Sequence, residues 1–81
     1  LTEEIRRNNW QFLKDLLLVA KGGARITQIV YRSNGNFKLV KAYLDQAQRA
    51  GLITAGDPLW STTEKGMEFV LRVLELEALL T

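Results

Sequence analysis

Ser33, Ser61 and the threonines are the chain's candidate nucleophiles, and none of them has a base to activate it. The 81 residues include no His and no Cys. That removes the commonest general base, the commonest metal ligand and every thiolate. Close carboxylates occur at Glu3-Glu4 and at Glu75/Glu77, but both pairs fall on helical patterns whose charge reads as solvated. Gly22-Gly23 has neither the preceding strand nor the following Lys-Ser/Thr of a phosphate-binding loop. The sequence therefore predicts no enzyme, no metal site and no cofactor.

The remaining chemistry is charge. The net charge is only +2, but it is unevenly spread. Residues 1–20 balance to zero, with Arg6, Arg7 and Lys14 against Glu3, Glu4 and Asp15. Residues 21–50 carry Lys21, Arg25, Arg32, Lys38, Lys41 and Arg49 against Asp45 alone, a surplus of +5. Residues 51–81 carry Lys65 and Arg72 against five carboxylates, a deficit of −3. A basic block of this kind suits a polyanion partner. It would also suit a pair of solvated helices.

The elements that position this block follow from periodicity. Residues 3–20 predict a first helix: Ile5, Trp10, Leu13, Leu16, Leu17 and Ala20 share one arc, which Phe12 and Val19 widen. Gly22-Gly23 ends it. Residues 25–32 predict a short second helix with Ile26, Ile29 and Val30 inward. Ser33-Asn34-Gly35-Asn36 is a run of turn formers, and Asn36 is placed to cap a third helix that reaches Ala50. On that helix Phe37, Val40, Tyr43, Leu44 and Ala47 share the inner face, and Lys38, Lys41, Ala42, Asp45 and Arg49 the outer one. Residues 52–55 and 59–62 predict a hairpin turned by Gly56-Asp57-Pro58, and Thr63 caps a last helix over 64–80. The fold class expected is mainly α with a small β-hairpin, in the order helix, helix, helix, hairpin, helix.

The last helix has two apolar stripes. Met67, Val70, Leu71, Leu74 and Ala78 cluster on one side, and Phe69, Val73, Leu76 and Leu80 on nearly the opposite side. A single small domain buries one of them. The second stripe steps i, i+4, i+7, i+11, the spacing of a coiled-coil seam. The expectation is that Met67, Val70, Leu71, Leu74 and Ala78 face the core, while Phe69, Val73, Leu76 and Leu80 form a dimer interface. An element outside these residues that covers the stripe is the alternative. Residues 1–63 then form the core domain, and 64–81 a helix that packs on it and forms the seam. So short a chain has a modest core, and oligomerisation is a common source of added stability.

Helices two and three, with the turn between them, form a helix-turn-helix, which presents its second helix to the major groove. The exposed face there offers Lys38, Lys41 and Ala42, with Asn36 at the helix start. Ala42 permits close approach and suits a thymine methyl. Arg32 and Ser33 in the preceding turn, and Thr27 and Gln28 at the start of the second helix, are placed for phosphate contacts.

The run Tyr31-Arg32-Ser33-Asn34-Gly35-Asn36-Phe37, then Tyr43-Leu44, Gly51-Leu52-Ile53, and Trp60 followed by Thr63-Glu64-Lys65-Gly66 and Phe69, resembles the small archaeal winged helix-turn-helix DNA-binding proteins. These include the dimeric chromatin-type proteins of the ten-a class. The resemblance implies a winged helix-turn-helix with a C-terminal dimerisation helix. It also implies DNA contacts at Arg32, Ser33, Asn36, Lys38 and Lys41, and a homodimer through an antiparallel coiled coil of the last helix. Three positions depart from the pattern. Gly35 replaces an apolar residue and implies a looser turn, Ala47 replaces a larger aliphatic and thins the core, and Asp57 at the wing tip repels phosphate. The function expected is double-stranded DNA binding, as a transcription regulator or chromatin-type protein. A protein–protein adaptor without DNA binding is the alternative. The longest apolar run, Leu16 to Ala20, is too short to span a membrane. No charged segment precedes an apolar one as in a secretory signal. A cytoplasmic, nucleoid-associated protein is expected.

Overall fold

A computed structural model of the chain describes residues 8–81. The element order is α1 (Asn9–Val19), α2 (Ile26–Ser33), α3 (Phe37–Arg49), β1 (Ile53–Ala55), β2 (Trp60–Thr62) and α4 (Glu64–Leu79). Each helix start has a local cause. Asn8 caps α1 reciprocally: its side chain accepts from Gln11 N at 2.8 Å, and the Gln11 side chain accepts from Asn8 N at 3.1 Å. The predicted start at residue 3, the place of Ile5 and the pair Glu3-Glu4 lie outside the described residues. Gly22 (φ 84°) and Gly23 (φ 103°) take the left-handed backbone that reverses the chain after α1. Asn34 (φ 61°) does the same after α2. Asn36 accepts from Leu39 N at 2.7 Å and starts α3. Thr63 accepts from Gly66 N at 3.0 Å and donates its hydroxyl to Gly51 O at 2.6 Å, tying the start of α4 to the end of α3.

The core is built on α1. Phe12, Leu13, Leu16, Leu17 and Ala20 are buried against Ile29 of α2, Val40, Leu44 and Ala47 of α3, Ile53 of β1 and Val70 of α4. Trp10, expected on this inner face, is instead 59% exposed. It belongs to the first turn of α1, before Phe12, the first buried residue of the helix. The strands pair antiparallel, with Ile53 opposite Thr62 and Ala55 opposite Trp60. Trp60 also exchanges backbone hydrogen bonds with Ala24, at 2.8 and 2.9 Å. The α1–α2 connection thus adds a one-residue third strand to the hairpin, beside β2. Thr62 Oγ1 donates to Leu17 O at 2.5 Å, fastening the hairpin to α1.

Gly35 does not loosen the turn. A methyl group on it would lie 2.8 Å from Phe12 Cζ and 3.0 Å from Val40 Cγ2. The Phe12 ring, set edge-on to Tyr43 with centroids 5.0 Å apart, fills the space an apolar side chain at 35 would take.

The two stripes of α4 are real, but each is divided between the core and the solvent: Val70 and Met67 of one and Val73 and Phe69 of the other pack inward. The face against the core is Gly66, Val70, Val73 and Glu77, with Phe69 on its edge. Of the expected seam residues, Val73 is buried and Phe69 half-buried in this chain, while Leu76 and Leu80 are exposed. Leu71, 56% exposed, and Leu74 point outward with Ala78, although they were expected in the core. Two contacts fix this rotation. At Gly66 a side chain would run into the carbonyl of Leu52, so α4 crosses the β1 entry backbone to backbone. At Glu77 the carboxylate meets Lys14 Nζ at 2.9 Å and accepts from Gln11 Nε2 at 3.0 Å. These bonds hold the Glu77 carboxyl below its ordinary range, so it is paired and not simply solvated. Its contribution to stability is present at neutral pH and is lost as the pH falls through that lowered value. Among the described residues no helix is long and apolar enough to cross a membrane.

Gly66→Ala should lower unfolding stability by about 1–3 kcal/mol, the usual cost of overpacking. A urea titration checks this, and an unchanged midpoint would mean that α4 does not rest on the Leu52 carbonyl.

Candidate nucleic-acid interface

The turn between α2 and α3 is held on three sides. Asn34 reverses the chain, Gly35 lies on Phe12, and Asn36 caps α3. Burial of Val40, Leu44 and Ala47 then fixes the rotation of α3. Its opposite face carries Lys38, Ala42, Asp45 and Arg49 at i, i+4, i+7 and i+11. Lys38, Ala42 and Arg49 are exposed. Arg49 is a basic residue of this face that was not among the predicted contacts, though its spacing from Lys38 was readable.

Lys41 lies on the flank of α3 and is partly covered. Its Nζ is 2.9 Å from Asp45 Oδ1, one turn on. Both side chains remain nearly half accessible, so the pair is weak. Arg32 is exposed at the last turn of α2, and Thr27 and Gln28 are exposed at its start. The Gln28 carbonyl accepts from Arg25 N at 2.9 Å, which leaves its amide nitrogen to donate. Asn36 is committed in the same way: its oxygen caps α3, so a bidentate contact to adenine would cost the helix its cap.

Ser33 does not join the set. It is the last residue of α2, not part of the turn, and is 1% exposed. Its hydroxyl donates to Val30 O at 3.3 Å, inside the helix. A phosphate cannot reach it without opening the α2–α3 packing. Of the residues expected at the interface, Thr27, Gln28, Arg32, Asn36, Lys38 and Ala42 are thus exposed, Lys41 is partly covered, and Ser33 is buried.

The wing is small. Its strands have three residues each, and Gly56, Asp57 and Pro58 at the tip are exposed. Among the described residues no group of three or more His, Cys, Asp or Glu side chains is placed to hold a metal ion.

A winged helix-turn-helix family profile matches residues 6–80, nearly the whole chain. The chain is a winged helix-turn-helix protein. Among solved structures it is similar to Sso10a-2, a DNA-binding protein from Sulfolobus solfataricus. The match has a TM-score of 0.81 and 25% sequence identity, and covers 90% of this chain and 81% of that one. No curated protein matches the sequence. In this winged helix-turn-helix, α2 and α3 form the helix-turn-helix proper, β1 and β2 the wing, and α4 the helix that follows it.

Asn36→Ala should cost about 1 kcal/mol of stability through loss of the α3 cap, whereas Asn36→Asp should cost a few tenths at most. Thermal unfolding of both variants measures this; equal losses would show that the cap bond is not what starts α3.

Proposed function

We propose that this protein binds double-stranded DNA, presenting α3 to the major groove, and that it does so as a homodimer joined through the outer stripe of α4. The observation that carries the DNA reading is that α2, the turn and α3 bring Arg32, Lys38, Lys41 and Arg49 together in one helix-turn-helix, whose own residues include a single carboxylate, Asp45. In helix-turn-helix recognition the second helix enters the groove, and its first residues meet base edges. Lys38 and Asn36 stand there. Arg32 and Thr27 on α2 flank the position of a phosphate. The similarity to a DNA-binding protein supports the same reading, which is that of a binding protein and not an enzyme. Asp57 makes the wing a poor phosphate contact.

Each phosphate neutralised contributes about −0.9 to the slope of log K against log salt. The double variant K38A/K41A should weaken binding to a labelled random duplex and flatten that slope by about 1.8. Asp45→Asn should do the opposite, because it frees Lys41 and removes a charge that repels phosphate. Fluorescence anisotropy over a salt series reads both. Unchanged binding by K38A/K41A would remove α3 from the interface. No binding by the parent below about 100 mM salt would favour a protein–protein adaptor, a role that the short acidic wing also suits.

The dimer rests on Leu71, Leu74 and Ala78, which step i, i+3, i+7 along the outside of α4. Leu71 and Leu74 are among the chain's exposed large apolar side chains, and burying them against a second copy removes apolar area from water. L71E/L74E should sediment as a folded monomer under conditions where the parent is a dimer. A parent that is monomeric at tens of micromolar would refute the seam.

A further inference from the structure

Two large aromatic side chains stand exposed on the helix-turn-helix. Tyr31 of α2 is 86% exposed and Phe37, the first residue of α3, is 55% exposed. Neither packs against the core, although Phe37 was expected on the inner face of α3. They line one shallow groove of about 460 Å³ that runs from Thr27 and Val30 across Asn34 and Gly35. Cations adjoin its rings in sequence: exposed Arg32 follows Tyr31, exposed Lys38 follows Phe37, and Lys41 comes one helical turn after Phe37 on α3. An apolar groove on a helix-turn-helix that carries these cations suits a ligand that is both apolar at one point and anionic. Duplex DNA offers this in its major groove, where the thymine C5-methyl group is the apolar feature of the base edges and the phosphates lie on either side.

We infer that Phe37 reads thymine, receiving its C5-methyl group in the groove walled by Tyr31 and Thr27. This rests on the DNA-binding reading above and adds a base preference to it. Phe37 occupies the first position of the recognition helix, where side chains reach base edges. Tyr31 comes from the helix that crosses the backbone, so its ring closes the groove on the phosphate side and its hydroxyl can donate to a phosphate oxygen. The Phe37 side chain has no hydrogen-bonding group, so the contact is insensitive to the donors and acceptors of the base. What it senses is the methyl group.

Replacing thymidine by deoxyuridine removes that methyl and leaves base pairing intact. Binding of the full chain is measured by anisotropy to an alternating A·T duplex and to the same duplex with deoxyuridine throughout, at one salt concentration. The parent should prefer the thymine duplex by about four-fold per methyl engaged. Phe37→Ala should bring the ratio to one, while Tyr31→Phe, which keeps the ring, should preserve it. Equal binding of the two duplexes by the parent, or a ratio unchanged in Phe37→Ala, overturns the inference and leaves the DNA reading standing. Tighter binding of single-stranded thymidine and deoxyuridine oligomers alike also overturns it, since stacking on the rings would then be the contact. If neither duplex binds, the DNA reading itself falls.

Discussion

Three elements lean on one short helix. The inner face of α1, from Phe12 to Ala20, is the common floor for α2, α3 and α4, and the hairpin is fastened to it through Thr62 and Leu17. Eleven residues give about three turns of surface, so each neighbour receives a narrow strip. α2 and α3 are accordingly each committed by only two or three fully buried side chains, and α4 by Val70, Val73 and a glycine. A chain of this size cannot enclose the rest. What is left outside includes Lys38, Ala42 and Arg49 of α3, the aromatic pair Tyr31 and Phe37, and Leu71 and Leu74 of α4.

This division explains why the helix-turn-helix is well defined while most of its residues stay exposed. The turn is clamped from below by Phe12 against Gly35 and from within by the Asn36 cap. Polar and charged side chains above it are therefore positioned without being buried, as a surface for a large anionic partner requires. Among the described residues, the ion pair between Lys41 and Asp45 partly neutralises the face in the free protein.

Element order and type were legible in the sequence, because capping residues, paired glycines and a turn-forming tetrad mark nearly every boundary. The two opposed stripes of α4 were also legible. The helix's rotation was not, since Phe69-Val73-Leu76-Leu80 and Met67-Leu71-Leu74-Ala78 have the same heptad spacing, and the inward line through Val70 and Val73 takes one residue from each side. The deciding residues are not apolar at all: Gly66, which permits close approach to Leu52, and Glu77, which reaches Lys14. A hydrophobic wheel gives such residues no inward weight. Ser33 was misplaced by one helical residue, which is enough to turn a hydroxyl from the surface into the core. The exposure of Phe37 and Trp10 was illegible for a related reason: both belong to the first turn of their helices, where the core has already fallen away.

The central claim is that the exposed side of α2, the turn and α3 is where duplex DNA sits. Titrating a random duplex into the isotopically labelled protein and following backbone amide shifts tests it residue by residue. The account predicts perturbations concentrated between Thr27 and Ala42 and extending along α3 to Arg49, with Gly56–Pro58 and the outer stripe of α4 little affected. Shifts confined to the wing or to α4, or none under conditions of low salt, would contradict it.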